Sequence, residues 1–297
     1  MTNNIYKKIR RFFPMLLYLA KPIKANASND YIRSGIDVSK WQGKIDWAKV
    51  KAAGVQFALL RAGYGDALSC PDQYDPTFEY NYTECSRVGI PVGVYWYSYA
   101  TTPEMARQEA RACIAALKGK RFEYPIYYDV EEMRIFNTGR TNEIIKAFCD
   151  ELEKAGYWVG IYIYRAAVQQ YLDDYTRTRY ALAVAEYGPK LNYDGQCGIW
   201  QNSGTWKVDG INTDVDHDWC YVDYPKLIRE KGKNGFPKPA PKLMYKLTKD
   251  TPIVQFEGEA KAGETRQVYG RKTVDGVQYG RVTDNGWISL KDAEQVQ

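Results

Sequence analysis

The stretch of the sequence best suited to chemistry is Tyr124–Glu132 (YPIYYDVEE), in which an apolar and aromatic run ends abruptly in acids. Such a run is typical of a buried β-strand. On an extended chain Asp129 and Glu131 point to the same side, with roughly 7 Å between their Cα atoms. This spacing suits two carboxyl groups that act on one glycosidic bond. The simpler alternative is a strand that runs out into a solvated acidic turn.

The elements that would position these acids follow a regular order along the chain. Five predicted strands, near residues 34–43, 57–64, 91–99, 124–132 and 157–164, are each followed by a helix, at 46–53, 76–88, 102–117, 141–155 and 166–172. Three further strands, at 180–187, 198–201 and 215–220, have short connections. Alternating strands and helices imply parallel pairing, and eight strands are enough to close a barrel. The sequence therefore predicts an α/β fold with a TIM-like (β/α)5(β)3 barrel.

Active sites of such barrels lie at the C-terminal ends of the strands. The side chains expected there are Asp37, Arg61, Tyr64, Tyr95, Tyr97, Asp129, Glu131, Glu186, Trp200, Gln201 and Asp216. An acid-rich pocket lined by aromatic residues favours glycoside hydrolysis over acyl transfer or hydride chemistry. His217 is the only histidine, so a Ser-His-Asp triad would have to be built on that one residue.

Composition narrows the choice of ligand. The chain has 26 Tyr and 8 Trp, whose flat faces and polar tips suit carbohydrate. The net charge of +5 arises within residues 1–30, so we expect no basic face for nucleic acid. The six cysteines lack zinc-site spacing, and neither a metal nor a cofactor is expected. Disulfides such as Cys70–Cys85 or Cys197–Cys220 are compatible with an exported protein.

The two ends of the chain differ from its middle. Residues 1–30 combine a basic start, an apolar run and a small-residue stretch, which resembles a secretory signal cleaved after Ala27. The apolar run is too short for a stable membrane span, and a basic N-terminal arm is the alternative. Export would place the protein outside the cell or in the bacterial cell wall.

A Pro/Gly/Lys-rich stretch at residues 231–242 predicts a linker after a catalytic domain at 31–230. Residues 243–297 contain short β-type runs separated by Asp275-Gly276 and Asn285-Gly286, which are hairpin-turn signals. We therefore expect a small all-β domain of about five strands at the C-terminus.

Several of these segments together resemble the family 25 glycoside hydrolases. They are Gly35–Gly43 (GIDVSKWQG), Phe57–Gly65 (FALLRAGYG), Pro91–Tyr97 (PVGVYWY), the Asp129-Val130-Glu131 triplet, and Ile199–Gln201 together with Val215-Asp216. The match runs in order from about Gly35 to Tyr224. These relatives are lysozymes that cut the β-1,4 bond between N-acetylmuramic acid and N-acetylglucosamine in peptidoglycan, and their fold is an irregular barrel of five β/α units and three strands.

The resemblance implies a role for each matching position. Glu131 corresponds to the general acid, Asp129 to its partner, and Asp37 and Asp216 to two further acids of the cleft floor. Arg61, Tyr64, Tyr95, Tyr97, Tyr187, Trp200 and Gln201 are the expected substrate-binding residues, and bacterial peptidoglycan is the expected partner of a monomeric enzyme. Asp129 is expected to stay ionised, and to stabilise charge at the anomeric carbon or orient the substrate's N-acetyl group. The C-terminal domain resembles a bacterial SH3-type wall-binding module, best matched by Gly286-Trp287-Ile288.

The chain departs from the family pattern at a few positions. His217 and Asp218 are atypical after Val215-Asp216, and Asp214 is a second candidate for the role given to Asp216. Glu186 could be only a strand-end carboxylate, and Glu132 should point away from Glu131. Retention and inversion of stereochemistry both remain open. A non-catalytic wall-binding or virion protein and a chitinase-like barrel are the competing functions.

Overall fold

The computed structural model describes residues 31–239 without a gap. Of the C-terminal part it describes residues 243–247, 251–252, 259–260, 264–274, 276–282 and 287–296. The chain divides into two compact units between Lys238 and Pro239. The predicted signal segment with its cleavage site after Ala27, and the predicted turn at Asn285-Gly286, lie outside the described residues. Within the described part no helix is long and apolar enough to cross a membrane.

Eight strands close a barrel in chain order, as the sequence predicts. They are β1 (Arg33–Val38), β2 (Phe57–Tyr64), β3 (Val92–Tyr97), β4 (Ile126–Asp129), β5 (Val159–Tyr164), β6 (Ala181–Ala185), β7 (Ile199–Trp206) and β8 (Val215–Cys220). Strands β1 to β7 pair in parallel. Strand β8 runs antiparallel to both β7 and β1, so that it closes the barrel in the reverse direction.

Eight α-helices belong to the described part of the barrel unit. They are α1 (Trp47–Ala52), α2 (Phe78–Val88), α3 (Pro103–Leu117), α4 (Met133–Phe136), α5 (Thr141–Lys154), α6 (Arg165–Tyr171), α7 (Asp174–Arg179) and α8 (Tyr224–Lys231). Side-chain caps set two of the starts, since Asp46 accepts from the Lys49 amide and Thr102 from the Met105 amide. The helices α4, α7 and α8 are absent from the sequence prediction.

The barrel interior is filled at the end where the parallel strands begin. There the rings of Phe57 and Tyr124 stack with centroids 4.5 Å apart. Glycines make room for aromatic rings at this end of the barrel. A Cβ at Gly35 would lie 2.4 Å from the Phe57 ring, and a Cβ at Gly160 would lie 2.4 Å from the ring of Tyr127. Because this end is plugged by apolar side chains, a ligand can enter only at the opposite end.

All six cysteines are free thiols in the structure. Cys70 is exposed and the other five are buried, Cys113 and Cys149 within helices as the sequence predicts. Burial raises the pKa of both Cys197 and Cys220 to about 12. The fold is therefore held by packing and hydrogen bonds, without the disulfides that the sequence leaves open.

Part of the predicted linker belongs to the barrel unit. Asn234 is fully buried, and its Nδ2 donates to the carbonyl oxygens of Phe122 (3.1 Å) and Tyr124 (2.8 Å). Its Oδ1 accepts from the Trp158 amide at 2.7 Å. Asn234 also has a positive φ of 53°, which asparagine tolerates better than most residues. The barrel unit thus extends to Lys238, beyond the expected boundary at residue 230.

The C-terminal unit is all-β, as predicted, but its described residues form eight short strands where about five were expected. Its described strands are β9 (Leu243–Leu247), β10 (Thr251–Pro252), β11 (Glu259–Ala260), β12 (Thr265–Val268), β13 (Gly270–Val274), β14 (Val277–Arg281), β15 (Trp287–Ser289) and β16 (Ala293–Val296). They form small sheets in the orders β12-β9-β16, β13-β14-β15 and β10-β11. Val274 pairs with Val277 and Gly276 has a φ of 76°, which confirms the hairpin turn there. Ile288 is fully buried in the small core.

Asn234 gives a test of how firmly this segment holds the barrel. Asn234→Ala leaves one buried amide and two carbonyls without their side-chain partner, at about 1–3 kcal/mol for each buried group left unpaired. We expect the melting temperature of the barrel to fall by at least roughly 6 °C in calorimetry. Asn212→Ala, at an exposed asparagine, is the matched control and should melt like the wild type. Equal melting temperatures for both variants would contradict a structural role of Asn234.

Candidate active site

A pocket opens at the end of the barrel where the parallel strands finish. The side chains that line it come from most of the strands and from the loops that follow them, namely Asp37, Ser39, Trp41, Gln42, Leu59, Arg61, Tyr95, Tyr97, Tyr127, Asp129, Glu131, Tyr162, Tyr187, Gln201 and Asp216. The four acids predicted to be catalytic are all among them. The pocket thus combines several carboxyl groups with an aromatic wall.

Asp129 and Glu131 lie at the end of β4 and just after it. Asp129 is buried, and its Oδ1 has no hydrogen-bond partner among the described residues. Burial first and the neighbouring Glu131 second raise the pKa of Asp129 well above its ordinary value, while Arg61 acts in the opposite direction. Its surroundings therefore shift the equilibrium of Asp129 towards the neutral form.

Glu131 is less deeply buried than Asp129 and faces the pocket. Burial, with smaller contributions from Asp216 and Glu132, raises the pKa of Glu131 to about 6. A carboxyl group with such a pKa keeps its proton in mildly acidic solution and can still release it to a substrate. The pair therefore combines a half-buried carboxyl group of raised pKa, Glu131, with the more deeply buried Asp129.

Asp37 is held on the opposite side of the pocket by a chain of hydrogen bonds. The Nε2 of Gln201 donates to Asp37 Oδ2 at 2.6 Å, and the Oε1 of Gln201 accepts from the hydroxyl of Tyr162 at 2.8 Å. These contacts fix the orientation of the Gln201 amide, because each of its ends has one partner. Burial and the carboxyl groups of Asp218 and Asp216 raise the pKa of Asp37 well above its ordinary value.

The reversed direction of β8 determines which of its residues reach the pocket. Asp216 lies opposite Asp37 in the register of β1 and β8, close to the start of β8, and lines the pocket. The hydroxyl of Tyr187 donates to Asp216 Oδ1 at 3.4 Å. Asp218, two residues further along, points to the same side but lies deeper, with only 1% of its surface exposed.

Arg61 is the cationic side chain of the lining. Its Nε donates to Asp75 Oδ2 at 2.7 Å, and the same oxygen accepts from the Lys40 amide at 3.0 Å. Asp75 is itself buried and also accepts from the amide and hydroxyl of Thr77. Asp75 therefore links β2 to the loop after β1 and holds the guanidinium at the edge of the acids.

Trp200 does not line the pocket, although the sequence predicts it to be a substrate-binding residue. The tryptophan is 1% exposed, and its Nε1 donates to the carbonyl of Glu186 at 2.8 Å. Since side chains alternate along β7, Gln201 faces the interior of the barrel and Trp200 packs on the outside against the helices. Tyr64 is not among the pocket-lining residues either, and its ring contacts Tyr99 edge-on with centroids 5.9 Å apart.

The remaining acids singled out in the sequence have structural partners. Glu186 pairs with Arg165 at 2.8 Å and accepts from the amide and side chain of Asn192, which agrees with its interpretation as a strand-end carboxylate. Glu132 accepts from the Tyr97 hydroxyl at 3.0 Å and forms an ion pair with Arg134 at 3.2 Å. Asp214 is exposed and forms an ion pair with Lys207, so it does not replace Asp216.

Several lining residues were missed in the sequence. Trp41 lies on a short 3-10 turn, Lys40–Gln42, and 71% of its surface is exposed. Ser39 and Gln42 close this turn as a capping box. Tyr162 is also missed, although its position on β5 and the alternation of side chains along the strand would have placed it inside the barrel. The signal for Trp41 was its position directly after an acid-bearing strand.

Comparison with known proteins shows the family to which the chain belongs. A sequence model of the Glycosyl hydrolases family 25 matches residues 36–211, which is more than half of the 297 residues. The protein YegX of Escherichia coli O157:H7 is 29% identical over 215 residues, which cover 67% of this chain and 74% of YegX. The autolytic lysozyme of Clostridium acetobutylicum is 28% identical over 185 residues, which cover 62% of this chain and 54% of that enzyme.

Solved structures show the same barrel. The modular autolysin LytC of Streptococcus pneumoniae superposes with a TM-score of 0.55 and 30% identity, over 63% of this chain and 46% of LytC. This chain thus spans about half of LytC. The bacterial lysozyme of Streptomyces coelicolor, with a TM-score of 0.53 and 23% identity, covers 68% of this chain and 97% of its own, and supports the fold alone. By the extent of the family match, the chain belongs to the family 25 glycosyl hydrolases and is a glycoside hydrolase.

Proposed function

We propose that this protein is a lysozyme, which hydrolyses the β-1,4 bond between N-acetylmuramic acid and N-acetylglucosamine in the bacterial cell wall. The observation that carries the proposal is Glu131, a pocket-lining carboxyl group with a pKa raised to about 6 beside the buried Asp129. The relatives support the choice of substrate, since one is named an autolytic lysozyme and LytC has been solved with a synthetic peptidoglycan ligand.

In this proposal Glu131 is the general acid. Its proton passes to the glycosidic oxygen as the bond to the anomeric carbon breaks, so that the leaving sugar departs as a neutral hydroxyl. The carboxylate that remains on Glu131 then takes a proton from the water that completes hydrolysis. A pKa of about 6 suits both steps, because the group can hold and release the proton near neutral pH.

Asp129 orients the substrate's N-acetyl group in the same proposal. A carboxyl group whose surroundings favour the neutral form is poorly suited to stabilising a positive charge, but it can hydrogen-bond an amide. Its Oδ1 has no partner among the described residues and is available for this contact. The N-acetyl carbonyl oxygen is then positioned next to the anomeric carbon, as a substrate-assisted route with retention of configuration requires.

Asp37 and Asp216 form the opposite wall and complete the electrostatic environment. Asp37 is held by Gln201, and Asp216 by the hydroxyl of Tyr187. In their ionised forms these two carboxyl groups favour the positively charged character that develops on the sugar ring in the transition state. The exposed Trp41 and Tyr187 offer flat faces on which sugar rings can stack.

Identification of the new reducing ends tests the proposed bond specificity. Purified peptidoglycan digested with the full chain should lose turbidity and expose N-acetylmuramic acid at the reducing ends, as measured by borohydride reduction and sugar analysis. N-acetylglucosamine at the reducing ends would instead indicate a glucosaminidase-type or chitinase-like activity. Unchanged peptidoglycan would favour the non-catalytic scaffold.

Glu131→Gln tests the general acid. The amide cannot donate a proton to the leaving oxygen, so we expect the rate of turbidity loss to fall by about 10²- to 10⁴-fold while the melting temperature is retained. Glu132→Gln is the matched control, because the neighbouring carboxyl group is bound to Tyr97 and Arg134 and lies outside the pocket lining. Similar losses in the two variants would refute the assignment of Glu131.

The pH dependence of kcat/KM tests the protonation state. Since Glu131 must be protonated in the free enzyme, activity should fall as pH rises through an apparent pKa of about 6. The apparent value belongs to the coupled carboxyl cluster and not to one residue alone. A profile that is flat from about pH 5 to pH 8 would exclude a general acid with this pKa.

We further propose that the C-terminal unit is an SH3-type module that tethers the barrel to the wall. Trp287 in β15 lies beside Lys272, whose Nζ is 4.3 Å from the ring centroid, which gives this unit an aromatic and cationic surface. A chain that ends at Lys238 keeps the barrel unit intact. It should bind less to sedimented cell walls but cleave short soluble glycan fragments at the wild-type rate. Equal loss of both activities would contradict the tether.

A further inference from the structure

Asp218 is a buried carboxyl group that the proposed mechanism does not use. It lies in β8 next to Gly35 of β1 and Gln201 of β7 in the strand register. Only 1% of its surface is exposed, and it is absent from the pocket lining. Its Oδ2 is buried and has no hydrogen-bond partner among the described residues.

The groups that face Asp218 offer no positive charge. Its ionisable neighbours are Asp37 on β1, and Asp216 and Cys220 on β8 itself. An ionised carboxylate in this position would be desolvated and close to further acids, which is among the most unfavourable arrangements for a buried group. Asp218 can avoid this cost only by keeping its proton.

Asp37 is the neighbour better able to remain ionised. It accepts an N–H hydrogen bond from Gln201 at 2.6 Å, and an N–H donor stabilises the charged form of a carboxyl group. It also lines the open pocket, whereas Asp218 does not. One proton shared between the two acids is therefore more stable on the deeper one.

We propose that Asp218 is a positioning residue that stays neutral at working pH and donates its O–H to the carboxylate of Asp37. The inference deepens the proposed function at the same site and rests on it only for its effect on catalysis. Asp37 is then held between two donors, the Gln201 amide and the Asp218 hydroxyl. Burial and Asp216 raise the pKa of Asp218 well above its ordinary value, while its hydrogen bond with Asp37 acts in the opposite direction.

The protonation state of Asp218 can be measured directly by carboxyl ¹³C NMR. In the full chain labelled at aspartate, the Asp218 resonance is assigned by its loss in Asp218→Asn. We expect it at the position of a neutral acid and unchanged between about pH 5 and pH 8, well above the ordinary aspartate pKa of about 3.9. A resonance that titrates near this ordinary value would overturn the proposal, whether or not the protein cleaves peptidoglycan.

Thermal stability gives a second readout that is independent of activity. Because the folded-state pKa is raised, Asp218 contributes stability below about pH 4, and this contribution is lost as pH rises towards the folded pKa. The melting temperature of Asp218→Asn should therefore rise relative to the wild type as pH increases over this window. Asn212→Ala, at an exposed residue nearby that does not titrate, should show a constant difference. A constant difference for Asp218→Asn as well would contradict the proposal.

Kinetic measurements on Asp218 variants distinguish a positioning role of this residue from a purely structural one. Asp218→Leu removes the donor to Asp37, and we expect kcat to fall by about 10- to 100-fold, the range for a lost hydrogen bond to a charged group. Asp218→Asn replaces the O–H by an N–H and should recover most of this loss. It removes no charge, so the pKa of the alkaline limb of kcat/KM should stay where it is in the wild type. A downward shift of this pKa in Asp218→Asn would show that Asp218 is ionised and refute the proposal.

Discussion

The desolvation of several carboxyl groups at one end of a closed barrel is the constraint on which the rest of this site depends. Asp129 and Asp218 are buried and Asp37 is half-buried, and in each case burial is the largest cause of the raised pKa. Arg61 is the cation in the pocket lining, and its Nε is already bound to Asp75. The acids must therefore share protons with one another. The position of each proton determines which carboxyl group can act as a general acid, which accepts a hydrogen bond and which carries a negative charge.

Barrel closure is what brings these acids together. Asp37 and Asp216 are separated by most of the domain in sequence but face each other across the β1–β8 pair. The pairing of β4 with its two neighbours places Asp129 beside Tyr97 of β3 and Tyr162 of β5. The apolar plug around Phe57 and Tyr124 keeps the opposite end closed, so the polar side chains gather at one mouth. A change that shifted one strand by a single residue would turn its acid out of the site.

The sequence was sufficient for the elements with strong periodicity and for the acids at strand ends. The eight barrel strands, the longer helices and the acids Asp37, Asp129 and Glu131 could be placed from alternation and strand order. Asp216 was expected at the C-terminal end of a strand, whereas it lies near the start of the antiparallel β8. Trp200 could not be placed, because a four-residue estimate of β7 gave no indication of which face looked inward. The burial of Asn234 was also unpredictable. A Pro/Gly/Lys-rich stretch has the same composition whether it is a solvent-exposed linker or places one side chain in the barrel unit. Both failures concern contacts that only the tertiary fold decides.

The direction of β8 explains why Asp216 and Asp218 have different roles. In a parallel strand, residues near the pocket lie at the C-terminal end, and Asp218 would then be closer to the substrate than Asp216. Because β8 is antiparallel, its start lies at the mouth and depth increases along it, from the partly exposed Asp216 to the buried Asp218 and Cys220. Asp216 and Asp218 lie on the same face of β8, and their different depths in the barrel give them different roles. The one at the mouth can act on a ligand, and the one beneath it can act only through Asp37.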